Sequence, residues 1–331
     1  MPASILCRIP AALALSAGLL LATACGGGGG GGGGGGTTGG AGLVDGASVT
    51  PSAILAAQSS FPGQFTADYV RRTLFTKLTV EVDYPVGHAP AQSVLDLIRT
   101  RLAQRCDKPG GVTISLSDAI PVAEFGTVPI SVTAIEALEA KYRNNYADSV
   151  TQTAVLYIIC CKGKSDIGGS GNSTVLAITY AGSSTALFTD VAEASGGIGV
   201  TVAEVEGAAL VHEAGHALGL VNGGCPMVTP HEDASHAGHD VSSSSVMYWL
   251  IQISPVAPNI GDATFALYGA NCEADLAAAG GLPASPSPVR VASTSVAPAQ
   301  VIGTCGTCLL RAQQEAAGAA PANAAGTCPA H

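Results

Sequence analysis

Residues 202–219, VAEVEGAALVHEAGHALG, carry the pattern on which our interpretation of the chain depends. The apolar residues predict a helix over 202–218, on which His212 and His216 lie four positions apart. Because four residues are about one helical turn, both imidazoles project from one face and suit two ligands of one tetrahedral Zn²⁺. Glu213 stands beside the first histidine, where it can act as a general base. The alternative is a helix with two solvent-facing histidines.

The residues from His212 to Gly219, together with Met247, resemble the metzincin family of metallopeptidases, whose pattern is HExxHxxGxxH/D followed by a Met-containing turn. In that family the glycine turns the chain off the helix, and a third ligand lies three residues further on. Here that position is Asn222, a poor zinc ligand. The resemblance implies an α/β fold of the zincin-like α+β type. Its mixed, twisted sheet carries the HExxH helix and is followed by an irregular C-terminal subdomain.

A branch of that family, the archaemetzincins, suggests where the third ligand lies. Their pattern is HExxHxxGxxHC-x4-CxM, and His239 and Met247 keep its register, with Asp240 and Ser245 in the two cysteine positions. About seventeen residues, 222–238, are then inserted after the turn. This resemblance implies that His239 is the third ligand and that Met247 lies beneath the metal.

The inserted segment is itself rich in histidine, so other ligands are alternatives. His231 ranks second and His236 third as candidates for the third position, and a second metal in this loop is a further possibility. Asp233 is a candidate to orient a histidine ligand, as carboxylates do around zinc. Tyr248 is a candidate to line the pocket or to stabilise an oxyanion.

The rest of the pattern alternates strands and helices and predicts a mixed sheet. Predicted strands cover 76–84, 112–116, 153–160, 173–180 and 184–188, and predicted helices cover 90–104, 134–146, 202–218 and 265–279. The metzincin resemblance implies that the strand at 175–180 binds an extended peptide, with Gly182 allowing close approach of the substrate backbone.

The N-terminus is typical of an exported protein. Arg8 precedes an apolar run too short to span a bilayer, and the run ends in Ala22-Thr23-Ala24-Cys25. This ending resembles the bacterial lipobox and predicts a signal peptide over 1–24 with lipid attached to Cys25. Ordinary cleavage after Ala24 is the alternative. The eleven glycines that follow, 26–36, are a flexible tether. Gly26 follows Cys25 in place of the Asp that commonly retains lipoproteins in the inner membrane, which favours the outer membrane of a Gram-negative bacterium.

Composition limits the partners and suggests the domain boundaries. A net charge of −10 with only 14 Lys and Arg gives no electrostatic footprint for nucleic acid. We expect a tether and linker over 25–64, one metallopeptidase domain over 65–280, and an Ala/Pro-rich tail over 281–331. In an exported protein, the eight cysteines beyond Cys25 predict disulfides. In the tail, Cys305-Gly-Thr-Cys308 has the spacing of half a zinc ribbon, but it has no second CxxC partner, so disulfide pairing is favoured.

Together these features predict a lipid-anchored zinc metalloendopeptidase of the cell envelope that hydrolyses peptide bonds in proteins or peptides. Zn²⁺ held by His212, His216 and His239 is expected to activate water, and Glu213 is expected to take its proton. The alternative is a lipid-anchored metal-binding or interaction protein that uses the histidine-rich loop without catalysis.

Overall fold

A computed structural model describes residues 51–126, 129–167, 174–197, 199–253, 260, 265–282, 300–307 and 310. All of them belong to one compact unit, Ser48–His331. The predicted signal peptide, Cys25 and the glycine tether lie outside the described residues. Within the described part of the chain, every helix is too short or too polar to cross a membrane.

Helices and strands alternate along the chain. The helices are α1 (Pro51–Gln58), α2 (Thr66–Val70), α3 (Gln92–Arg105), α4 (Val132–Tyr142), α5 (Thr189–Ser195), α6 (Val202–Ala217) and α7 (Ala270–Ala278), with a 3-10 turn at Val122–Phe125. The strands are β1 (Lys77–Pro85), β2 (Val112–Ile120), β3 (Thr153–Cys161), β4 (Val175–Ala181), β5 (Ser184–Phe188), β6 (Leu250–Ile253) and β7 (Gln300–Cys305).

The strands form one mainly parallel sheet in the order β2-β1-β3-β5-β4-β7-β6. β1 is parallel to β2 and β3, β3 is parallel to β5, and β4 is parallel to β7. The antiparallel pairs are β4 with β5 and β6 with β7. The predicted α/β class with a mixed sheet is therefore confirmed. β3 and β4 are almost wholly buried, which explains why their sequences are continuous apolar runs.

α6 is the central helix, and every residue from Glu204 to Ala217 is buried. It begins with a capping box, in which the Thr201 hydroxyl accepts from the Glu204 amide and the Glu204 carboxylate accepts from the Thr201 amide. The helix packs on α3, β4 and β5. Its burial shows that the histidines on it do not face solvent, which rules out the alternative of a helix with two solvent-facing histidines.

The folded unit extends beyond the predicted domain limits at both ends. α1 lies in the predicted linker, where Gln58 donates a hydrogen bond to the carbonyl of Glu136. β7 lies in the predicted tail and joins the sheet. Both segments are short and rich in small residues, so their local patterns were too weak to predict an element that tertiary pairing stabilises.

The expected disulfides are not found among the cysteines that the structure describes. Six buried cysteines form no disulfide with one another: Cys106, Cys160, Cys161, Cys225, Cys272 and Cys305. Cys160 and Cys161 are consecutive on β3, so their side chains point to opposite faces of the sheet. Cys308 and Cys328 lie outside the described residues.

Candidate metal centre

α6 presents His212 and His216 side by side in the protein interior. Their Nε2 atoms are 3.1 Å apart and their ring centroids 4.9 Å apart. Both side chains are buried. The one-turn spacing thus produces the converging pair of imidazoles that the sequence predicts.

His239 completes a group of three histidine rings. Its ring stacks on His212 with the centroids 5.2 Å apart, and it meets His216 edge-on at 4.9 Å. The Nε2 atom of His239 is buried without a hydrogen-bond partner among the described residues. An unsatisfied buried polar atom costs about 1–3 kcal/mol, so a native structure normally supplies a partner. A metal ion bound among the three rings would be such a partner.

The segment after α6 brings His239 back to the helix. The chain leaves the helix through Gly219 with φ 79°, and Asn222 also has a positive φ of 62°. The Asn222 amide donates to Glu232 at 3.1 Å and stands outside the histidine rings. A bridge between Glu232 and Asp240 then folds the inserted segment on itself. The insertion thus brings His239 next to His212 and His216, whereas Asn222 stays outside this group.

A fourth donor, Cys305 on β7, was not predicted. Its Sγ lies 3.4 Å from His216 Nε2. The donor atoms of this histidine group, defined as His212, His216, His239 and Cys305, all lie within 4.8 Å of one another. Imidazole nitrogen and thiolate sulfur are the donors that zinc prefers, so the residues fit that ion. This contact goes beyond the sequence prediction, in which Cys305-Gly-Thr-Cys308 favours disulfide pairing over half of a zinc ribbon.

Backbone carbonyls orient two of the rings. The Nδ1 of His212 lies 2.5 Å from the carbonyl oxygen of Val246, which only accepts, so Nδ1 carries the proton and Nε2 keeps its lone pair for the group. The Nδ1 of His239 contacts the carbonyl of His236 at 3.3 Å in the same way. Burial lowers the pKa of His212 to about 4 and that of His239 to about 3. Both rings are therefore neutral near pH 7, as metal ligands must be.

Glu213, which follows His212 on α6, is fully buried. Its Oε2 accepts hydrogen bonds from the hydroxyls of Thr307 at 2.8 Å and Thr179 at 2.9 Å. Its Oε1 is buried and has no hydrogen-bond partner within the described part of the chain. Burial raises the pKa of Glu213 to about 7, against the lowering effect of these hydrogen bonds. A carboxyl with this pKa can both take and return a proton near neutral pH.

Met247 lies against the middle of α6. It is buried, and its Sδ would be 2.2 Å from a Cβ added to Gly215, between the two helical histidines. The turn is tight, with the Tyr248 amide donating to the carbonyl of Ser245 at 3.1 Å. The ring of Tyr248 lies beside that of Trp249, with centroids 6.1 Å apart.

His236, an alternative third ligand, and Asp233, the candidate to orient a ligand, contact each other outside the histidine group. His236 pairs with Asp233 at 2.8 Å and stacks on Trp249 with ring centroids 3.9 Å apart, so it stands outside the histidine group. Asp233 accordingly orients His236 and not a member of that group. Its amide does contact the loop, since it donates to the carbonyl of His239 at 2.8 Å.

His231 belongs to a second group of possible ligands, formed with Asp240 and Cys272. The Cys272 Sγ lies 3.5 Å from both His231 Nε2 and Asp240 Oδ2. His231 Nδ1 contacts the carbonyl of Thr229, which leaves Nε2 directed at the group. Asp275 Oδ2 lies 3.6 Å from the same Nε2 and is buried without a hydrogen-bond partner among the described residues. The second group is thus a further place where a cation fits.

The predicted substrate strand is not open along its length. β4 is buried and pairs with β5 on one side and β7 on the other. Gly182, expected to allow close approach of a substrate, donates its amide to the Ser60 hydroxyl at 2.9 Å and is covered by the segment before α2. The prediction for Gly182 is therefore wrong, because the N-terminal segment already occupies that space.

Comparison of the chain with family models, curated proteins and solved structures finds no match. Functional conclusions consequently rest on the geometry of the two groups and on the chemistry of their residues.

Proposed function

We propose that this protein is a zinc-dependent peptidase whose catalytic centre is the histidine group with Glu213. The observation that carries the proposal is the combination of three buried, convergent imidazoles with an adjacent buried carboxyl whose Oε1 lacks a partner in the described chain. Such residues are the ligands and the general base of metal-assisted hydrolysis.

His212, His216 and His239 would hold the ion through their Nε2 atoms. A zinc ion bound there supplies Lewis acidity that polarises a scissile carbonyl and lowers the pKa of water. Glu213 then accepts a proton from the attacking water and passes it to the leaving amine. Its Oε1, which is buried and has no partner in the described chain, is the oxygen that would take this proton.

The sheet supports a protein or peptide substrate. β4 runs past the base, since the Thr179 hydroxyl contacts both the carboxylate and the carbonyl of Glu213. An extended chain that took the place of β7 along β4 would gain backbone hydrogen bonds by strand addition. It would bring its scissile carbonyl close to the histidine group.

One observation favours a second candidate function, metal binding without catalysis. Cys305 gives the histidine group a fourth protein donor, and structural zinc sites are closed by four such donors. A binding protein of this kind takes up metal but does not hydrolyse peptides.

We also propose that His231, Asp240 and Cys272 hold a second ion that fixes the inserted segment. The orphaned Oδ2 of Asp275, 3.6 Å from His231, supports a cation at this position. An ion there would link the inserted segment to α7, which carries Cys272. Because Asp240 directly follows His239 in the sequence, the ion would also help to keep His239 in position.

Attachment to the cell envelope through Cys25 is part of the proposal and rests on the N-terminal sequence alone. Metabolic labelling with a fatty-acid analogue and membrane fractionation test it, with Cys25→Ser as the control. Equal labelling of the two proteins would contradict lipid attachment at Cys25.

The decisive experiment measures metal content and cleavage of a peptide library by the zinc-loaded protein and its Glu213→Gln variant. Both are also prepared with Cys305→Ala, because a thiol in the group competes with water. The proposal fails if Glu213→Gln keeps its zinc and cleaves at the original rate. Metal uptake without cleavage in every background would favour the binding protein.

A further inference from the structure

β7 lies in the position along β4 that a peptide substrate would take. β4 has β5 on one side, so strand addition can occur only on the side that β7 now occupies. The pairing continues past the end of β7, where the Gly306 amide donates to the carbonyl of Ala177 at 2.9 Å. The Thr179 amide donates to the Thr307 hydroxyl, also at 2.9 Å. Residues 304–307 therefore follow β4 up to the level of Glu213.

The segment brings two side chains to the centre. The Cys305 Sγ joins the three histidines, 3.4 Å from His216 Nε2. The Thr307 hydroxyl donates to Glu213 Oε2 at 2.8 Å. Catalytic zinc sites keep one coordination position open for water, whereas the thiol of Cys305 would close it. In this arrangement the general base is also engaged by Thr307.

We propose that residues 300–307 form an autoinhibitory strand. This C-terminal segment occupies the substrate groove, with Cys305 in the position that water needs and Thr307 hydrogen-bonded to the base. The proposal rests on the peptidase function and adds its regulation. Activity is released when the segment leaves β4, so the segment and an extended substrate compete for the same backbone groups.

Gly306 makes the close approach possible. A Cβ at this position would lie 2.0 Å from Ile178 Cγ2 and 2.6 Å from Val175 Cγ1. Both atoms belong to β-branched side chains buried in β4, which have little freedom to move. Substitution of Gly306 is therefore expected to displace the segment while every candidate ligand is kept.

The test uses two variants of the full-length chain, Cys305→Ala and Gly306→Val, with Cys106→Ala as a matched control for loss of a buried thiol. All carry Cys272→Ser, so that thiolate-to-cobalt absorption of the Co²⁺-loaded protein reports on Cys305. Three properties are measured: this absorption, the affinity for a peptide hydroxamate, and the rate of peptide cleavage.

The protein that carries Cys272→Ser alone and the Cys106→Ala control are expected to show thiolate absorption. Cys305→Ala and Gly306→Val should lose it and bind the hydroxamate roughly tenfold or more tightly, since a site blocked for more than nine-tenths of the time loses affinity by that factor. Cleavage should rise by a similar factor. Because Gly306→Val retains the thiol, its loss of absorption would identify displacement of the strand.

Absence of thiolate absorption before substitution, or equal hydroxamate affinity in all proteins, would overturn the autoinhibitory strand. Loss of absorption with tighter hydroxamate binding but without cleavage would support the strand and overturn the peptidase function instead. If one of the two variants fails to fold, the other decides between these outcomes.

Discussion

The Sδ atom of Met247 occupies the space that a side chain at Gly215 would need. A Cβ on Gly215 would lie 2.2 Å from this sulfur and 3.0 Å from Tyr268 Cε1. The glycine of the HEAGH sequence thus allows Met247 to pack directly against α6 between the two helical histidines. This contact joins Met247 to the helix that carries His212 and His216.

Gly215→Ala is expected to destabilise the protein by about 1–3 kcal/mol, because overpacking outweighs the gain in helix propensity. Gly207→Ala is the matched control in the same helix, since its Cβ meets the side-chain ends of Ile260 and Leu97 at 2.8 and 2.9 Å. Urea denaturation of Gly215→Ala, Met247→Ala and the double variant measures the coupling. Strictly additive effects would contradict the contact, because residues in contact are expected to couple by about 0.5 kcal/mol or more.

His239 is expected to be essential for metal affinity, whereas His236 is not. Removal of one imidazole ligand should weaken zinc binding by at least about 100-fold, more than the loss of an outer partner costs. His236→Ala is the control, because His236 contacts Asp233 and Trp249 and lies three residues away in the same loop. Competition titration with a zinc chelator gives both affinities. Equal losses in the two variants would contradict His239 as the third ligand.

The difference between these histidines shows what the sequence could and could not predict. The HEAGH pair was predictable because its geometry is local to one helix. His239 was implied by the resemblance to the archaemetzincin pattern, with His231 and His236 as alternatives. The partners of His231 and Cys305 depend on α7 and β7, which reach the centre only through tertiary packing. β7 pairs with a strand more than a hundred residues earlier, and no local pattern encodes such a contact.

Glu213→Gln is expected to lower peptide cleavage by about 10²–10⁴-fold without loss of zinc, because glutamine fills the same space but cannot accept the proton. Glu206→Gln on the same helix is the control. Burial also raises the pKa of Glu206 to about 7, yet Glu206 is not a member of either group. Cleavage rates and bound zinc are measured in the Cys305→Ala background. Equal loss of cleavage in both variants would point to a general effect of removing a buried acid.

The second group predicts two bound zinc ions per chain. Cys272→Ser and His231→Ala should each reduce the zinc content by one ion and lower the melting temperature, because a structural ion contributes to folding free energy. Cys161→Ser, which alters a buried thiol outside both groups, is the control for the stability change. Elemental analysis after dialysis gives the stoichiometry. Retention of both ions in Cys272→Ser would exclude Cys272 as a ligand.

Asp83 predicts a pH dependence of stability that is independent of either metal. Burial raises its pKa from 3.8 to about 7, although the Asp118 amide and the Tyr157 hydroxyl donate to its carboxylate at 2.9 and 2.7 Å. The folded chain therefore holds this proton more tightly than the unfolded chain. The resulting stabilisation is complete below pH 4 and is lost as the pH rises through 7.

Asp83→Asn removes this titration, since the amide stays neutral. Its free energy of unfolding, relative to the unsubstituted protein, should therefore increase from pH 4 to pH 8. The increase is at most about 4 kcal/mol, because each pKa unit corresponds to about 1.4 kcal/mol. Urea denaturation across this range, with and without zinc, measures it. Asp83 lies outside both groups, so the two series should agree. A difference that is constant with pH would show that the carboxyl is ionised in the folded protein throughout this range.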